Sequence, residues 1–229
     1  MAAVVAFDLD DTLFSEWEYV RSGYRAVARD IAKNTGADAA TLARMMMEHR
    51  PLGFEAVLDY IKDMPGADRF SVDSMVETYR AHTPLIPLRP GAREMLTTLK
   101  DQGATLVLIT DGSTRHQRAK FHALGLDGLF APEAILISEE TGGDKRTPVP
   151  WALTRRLFGR PGTHFFYVGD NLSKDFRLAN MAGWTTIMLR DAAGTNVFPQ
   201  RPADWPAINR PSFTIDNLSE IINITKPCL

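Results

Sequence analysis

The 229-residue chain has a single cysteine, Cys228, one residue from its C-terminus. This excludes an internal disulfide framework and any zinc site built on cysteine. There is no basic surplus either, since 26 Lys and Arg stand against 28 Asp and Glu for a formal net charge of −2. A nucleic-acid binder usually carries excess positive charge on one face, so no nucleic-acid polymer is expected as a partner. Long apolar runs are missing: nowhere do about 18 apolar residues follow one another, so no membrane-spanning helix is expected. The first apolar run covers only Ala2 to Phe7 with no basic residue before it, unlike a secretion signal. The expectation is a cytoplasmic protein with no membrane association. Internal repeats, Ser/Gly linkers and blocks of like charge are also absent. What remains is ordinary for a globular enzyme, with 45% hydrophobic and 24% charged residues.

Short apolar runs that read as buried strands occur at Val4 to Leu9, Ala104 to Thr110, Ala134 to Ile137, Phe165 to Val168 and Thr185 to Leu189. Helical patterns at Gly91 to Asp101, Thr114 to Leu124, Val149 to Phe158 and Ser173 to Met181 alternate with the later ones. Uniformly apolar strands alternating with helices predict an α/β fold, a doubly wound, Rossmann-like parallel sheet covered on both faces. One interval breaks the alternation. Between Glu16 and His82 there is no convincing strand, only amphipathic stretches at Glu16 to Lys33, Ala39 to Arg50, Phe54 to Asp63 and Val72 to Ala81. So long a helical stretch exceeds one crossover connection and predicts an inserted all-helical cap subdomain. The expected division is a core of 1–14 and 84–229 with a cap of 15–83, joined by linkers at Leu13 to Ser15 and Thr83 to Arg89.

Directly after the first apolar run comes Phe7-Asp8-Leu9-Asp10-Asp11-Thr12. Residues two apart in a strand share a face, which puts Asp8 and Asp10 together at the carboxyl edge, where open α/β sheets bind ligands. Two carboxylates so close repel unless a cation or a shared proton relieves them, and an all-oxygen set suits Mg²⁺. The competing reading is an acidic turn that caps the next helix. Three further strand ends favour function. Thr110-Asp111-Gly112-Ser113 offers a hydroxyl and turn amides to an anion. Gly169-Asp170-Asn171 adds a third carboxylate, and Lys145 lies in the loop Thr141 to Pro148 before a helix. Three carboxylates balanced by a divalent ion and a lysine suit phosphoryl chemistry better than sugar hydrolysis, which uses two carboxylates without either.

These segments resemble the motifs of the haloacid dehalogenase superfamily: Asp8 to Thr12 the first, Thr110 to Gly112 the second, Lys145 the third, and Gly169-Asp170 with Asp175 the fourth. They run in the family's order across nearly the whole chain. The helical insert resembles that family's C1-type cap, which implies subfamily I, and Phe213 to Ile221 resembles a closing strand and helix seen in many of its phosphatases. The resemblance implies that Asp8 is a nucleophile forming an aspartyl phosphate and that Asp10 is the general acid and base. It implies Mg²⁺ on Asp8, Asp170 and the main-chain carbonyl of Asp10. Thr110, with the amides of Asp111 and Gly112, would hold phosphoryl oxygens, and Lys145 would offset charge there. Asp175 and Asn171 would stand behind these groups. Members often carry Lys-Pro at the third motif, whereas Lys145 is followed by Arg146 and Thr147, so Arg146 competes for that role.

The resemblance implies a phosphatase acting on a small phosphorylated metabolite, because Asp10 has no task in dehalogenation. A phosphomutase shares the same residues. Readings of another class are a phosphoreceiver or regulatory module and a non-catalytic binding protein on the same fold. Selectivity is expected from Phe14, Trp17, Arg21, Arg25, His49 and Arg50. For Phe14 and Trp17 the competing reading is packing, and for Arg21 and Arg25 a solvated helical stripe.

Overall fold

The computed structural model describes residues 2–229, apart from the side chain of Pro202. Six strands form one sheet: β1 (Ala3–Phe7), β2 (Thr105–Thr110), β3 (Ile135–Ile137), β4 (His164–Gly169), β5 (Thr185–Leu189) and β6 (Phe213–Ile215). All pair in parallel in the order β3-β2-β1-β4-β5-β6. Residues of β1 are buried throughout, as both-face burial of a parallel sheet requires. Strand order reverses beside β1, and the crevice between β1 and β4 is the topological switch point at which such sheets bind ligands. Phe7 pairs with Val168 across that crevice, so the residues after both strands emerge side by side.

Among the described residues there are ten α-helices: α1 (Glu16–Thr35), α2 (Ala39–Glu48), α3 (Gly53–Ile61), α4 (Val72–Ala81), α5 (Ala92–Asp101), α6 (Thr114–Ala123), α7 (Ser138–Thr141), α8 (Val149–Phe158), α9 (Arg177–Met181) and α10 (Glu220–Thr225). The chain divides into two compact units, Met1–Glu16 with Pro87–Leu229, and Trp17–Ile86. The division falls two to three residues later than the expected 14/15 and 83/84, just past the first linker and inside the second. Glu16 stays with the sheet because its backbone N–H donates to Asp11 Oδ1 at 2.9 Å.

Each unit has its own core. In the sheet unit Val4, Ala6, Val107, Ile109, Trp151, Tyr167, Phe176 and Trp184 pack together. In the helical unit Val27, Ile31, Leu42, Met46, Val57, Ile61 and Met75 do so. Within that unit Gly23 is required by packing: a Cβ there would lie 2.4 Å from the Tyr79 ring. The expected helix at Ser173 to Met181 is shorter, beginning only at Arg177. Asn171 Oδ1 accepts from the Ser173 backbone and Asp175 Oδ2 accepts from the Asp170 and Asn171 backbones, local bonds that compete with helix formation. The first strand also stops at Phe7, before the expected Leu9, although the Asp8 backbone N–H still donates to the Val168 carbonyl of β4 at 2.9 Å.

Candidate active site

Asp8 follows β1, Asp170 follows β4, and Lys145 lies in the loop before α8. All three are buried. Lys145 Nζ donates to Asp8 Oδ1, and to Asp175 Oδ1 at 2.9 Å. Of the two cations open at the third motif, the structure brings in Lys145, whereas Arg146 is exposed and paired with its neighbour Asp144 at 2.5 Å. Asp175 is saturated. Its Oδ1 also accepts from Tyr167 Oη at 3.0 Å, while Oδ2 takes the backbone N–H groups of Asp170 at 3.1 Å and Asn171 at 2.8 Å. Gly169 must lack a side chain for this, since a Cβ would lie 2.6 Å from Asp175 Oδ2.

Carboxylate oxygens of Asp8, Asp170 and Asp175 lie within 4.8 Å of one another, close enough to share a metal ion. With both Asp175 oxygens committed, Asp8 and Asp170 are the side chains suited to ligation. Lys145 occupies Oδ1 of Asp8 and Asn196 occupies Oδ2 of Asp170, and among the described residues no protein donor reaches the other oxygen of either. Charge points the same way. Burial pushes the Asp8 carboxyl up to about 6, Lys145 draws it back, and Asp175 and Asp10 add repulsion. Burial raises Asp170 well above the carboxylate range, reinforced by Asp175 and Asp8. For Lys145, burial acts against the ammonium, but Asp175 and Asp8 outweigh it and raise its pKa. Burial also opposes ionisation of Asp175, yet Lys145 and Lys174 bring it below the usual value. An Asp8–Asp170 pair that resists ionisation together is a fit for a hard divalent cation, which supplies the missing positive charge.

Asp10 is placed differently from Asp8. Two residues of α6 hold it: Lys120 Nζ at 2.6 Å from Oδ1 and Gln117 Nε2 at 3.1 Å from Oδ2. Both partners are buried, and their spacing on the helix puts them on one face. Glu16 stands nearby, its carboxyl pushed up to about 7 by burial and then by Asp10. Thr110 is buried with its hydroxyl lacking any partner, and so is Thr12. An unpaired buried hydroxyl is costly unless a ligand completes it. The Asp111 carboxylate accepts from the Lys145 backbone at 3.2 Å. The Gly112 amide, expected to face phosphate, instead donates to Ser138 Oγ at 2.9 Å, because the β2 and β3 ends are neighbours in the sheet. Asn171 turns back onto Ser173, so its side chain shapes the loop.

Of the residues expected to select substrate, Phe14 is buried, with the Lys120 ammonium 5.8 Å from its ring centre. In the helical unit the Arg50 guanidinium lies 3.8 Å above the Trp17 ring, and Arg21 pairs with Glu18 at 2.6 Å. Arg21 and Arg25 line a shallow surface cavity with Tyr24 and Arg44, and His49 is held by the Met45 carbonyl at 3.1 Å. Sequence reasoning missed Gln117, Lys120, Tyr167, Ser138 and Asn196. None of them carried a local signal, because each reaches its partner across the fold or lies in a segment that matches no motif.

A family model described as haloacid dehalogenase-like hydrolase matches residues 2–183. A glyceraldehyde 3-phosphate phosphatase of Methanopyrus kandleri is 27% identical over 239 residues, covering 99% of this chain and 98% of the relative. A ribulose-1,5-bisphosphate 5-phosphatase of Halopiger xanaduensis is 27% identical over 248 residues, covering 98% and 99%. Among solved structures, a 2-haloacid dehalogenase from Pseudomonas syringae pv. Tomato superposes with a TM-score of 0.64 at 22% identity, covering all of both chains. A HAD phosphatase from Thermococcus onnurineus gives 0.58 at 21% identity, covering 98% of this chain and 97% of that one. One fold thus serves two reactions, and the reaction must be argued from side chains.

Proposed function

The chain belongs to the haloacid dehalogenase-like hydrolase family, and on that premise we propose that it is a Mg²⁺-dependent phosphatase of a small phosphorylated metabolite. The observation that carries this reading is the second carboxylate. Asp10 lies two residues from Asp8 and is held by Lys120 and Gln117. Cleaving a carbon–halogen bond expels halide and needs no proton donor, whereas expelling an alcohol from phosphate does.

In this reading Asp8 attacks phosphorus as the bond to the alcohol oxygen breaks, and Asp10 gives that oxygen a proton. The aspartyl phosphate is then hydrolysed: Asp10 takes a proton from water, the oxygen attacks phosphorus, and Asp8 leaves as a carboxylate with release of phosphate. Thr110 and the Asp111 amide bind phosphoryl oxygens, and Lys145 holds Asp8 in place. Mg²⁺ would be held by Asp8, Asp170 and the main-chain carbonyl of Asp10. Bound there it would neutralise phosphoryl charge and align the ester. The names of the two relatives support a small sugar phosphate as substrate.

The test is release of phosphate from p-nitrophenyl phosphate with Mg²⁺, followed by kcat/KM over a panel of triose and pentose phosphates. Metal-dependent release supports the reading. A long-lived phosphoprotein without release would instead identify a phosphoreceiver, and interconversion of phosphosugar isomers a mutase.

A further inference from the structure

Between β5 and β6 runs a segment that matches no motif, and its residues 191–200 close over the end of β4. Asn196 is buried within it, and its polar groups are committed. Nδ2 donates to Asp170 Oδ2 at 2.9 Å, Oδ1 accepts from Arg89 at 3.2 Å, and its backbone N–H donates to Asp191 Oδ2 at 2.7 Å. Gln200 Nε2 reaches the Asp170 carbonyl at 2.9 Å and the Leu189 carbonyl at 2.8 Å, while its Oε1 accepts from the Asp191 backbone at 2.8 Å. The Val197 backbone donates to Asp11 Oδ2 at 2.8 Å. The segment therefore grips Asp170 by side chain and main chain and is itself anchored beside the β1 end.

We propose that Asn196 is a positioning residue for the metal site: it fixes the Asp170 carboxylate through Oδ2 so that Oδ1 is presented to a divalent cation. This rests on the reading of Asp170 as a metal ligand. The chemistry of the donor supports it. A lysine or arginine in this place would neutralise Asp170 and compete with the cation, whereas a neutral amide orients the carboxylate and leaves its charge available. Hydrogen-bonded partners behind a ligating carboxylate typically matter roughly 10- to 100-fold for metal affinity.

Mg²⁺ affinity, measured by calorimetry on substrate-free protein, tests the assignment on Asn196→Ala and on Asn196→Leu, which keeps the volume and removes the amide. Asp170→Asn serves as the reference. The expected result is a Kd for Mg²⁺ raised roughly 10- to 100-fold in both Asn196 variants, with kcat recovered at saturating Mg²⁺ and no measurable binding in Asp170→Asn. Unchanged Mg²⁺ affinity in folded Asn196 variants overturns the proposal, as does loss of kcat that saturating Mg²⁺ does not restore. If neither Asn196 variant folds, the residue is a fold anchor and the assignment also fails. If Asp170→Asn binds Mg²⁺ as wild type does, the reading of Asp170 itself is wrong.

Discussion

Replacing Lys145 by Met tests the electrostatic account of the site at its centre. Lys145 is fully buried between Asp8 and Asp175, and the substitution keeps most of the side chain's volume while removing its only charge. Asp175 would keep Tyr167 and two backbone donors, but Asp8 would lose its counter-charge with Asp170 and Asp175 still beside it. Removing one partner of a buried ion pair costs about 3–5 kcal/mol. For a chain of this size each kcal/mol moves Tm by about 2–4 °C, so the melting temperature should fall by roughly 6–20 °C. Scanning calorimetry of metal-free protein at pH 7.5 measures it, with Arg146→Met as the paired control. Arg146 is exposed and pairs only with Asp144, so its loss should leave Tm unchanged. The deficit of Lys145→Met should narrow as pH falls from 7.5 towards about 6, because Asp8 of the variant, without the Lys145 charge, takes up its proton at a higher pH than Asp8 of the wild type. A Lys145→Met protein that melts within experimental error of wild type at pH 7.5 would falsify this account.

Asp8→Asn should abolish phosphate release while the metal-free protein melts no lower than wild type at pH 7.5, since the amide removes a charge that burial disfavours. Residual metal-dependent turnover would refute the nucleophile. In metal-free protein the folded-state Asp8 pKa of about 6 stands above its ordinary 3.8, so the folded state binds the extra proton and loses stability as pH rises through that window. Mg²⁺ takes the proton's place, and the Tm gained on adding it should be small at pH 5 and larger at pH 7.5. A gain that shrinks with rising pH, followed by dye fluorimetry, contradicts the argument. Thr110→Ala should lower kcat on the order of 10²-fold by removing a phosphoryl donor, and Thr110→Ser should recover most of it. Steady-state kinetics equal to wild type for Thr110→Ala would remove the hydroxyl from the site.

How far the chain could be read follows from the range of each signal. Alternating apolar runs and helical periodicity are local, and they located the sheet and the helical insert to within a few residues. They failed at Ser173 to Phe176, where the Asn171 and Asp175 side chains hold the backbone out of the helix that periodicity suggested. Asp8 and Asp10 were conspicuous because a pair of carboxylates at a strand end has no packing use. Lys120 and Gln117 were not, because nothing within α6 shows that this face meets Asp10, 110 and 107 residues earlier in the chain.

By itself the sequence determined the fold class, the family resemblance and the charge problem of the site, since each is written in short windows of residue type and spacing. Only the tertiary structure buried Lys145 against Asp8 and left Arg146 exposed beside Asp144, because burial depends on which loop covers which strand end. It likewise separated Asp175, saturated by donors, from Asp8 and Asp170, each with an oxygen that no donor among the described residues reaches. It also turned the Gly112 amide onto Ser138 Oγ. These outcomes depend on strand order, which brings distant loops to one edge of the sheet, and no spacing within the chain encodes that neighbourhood.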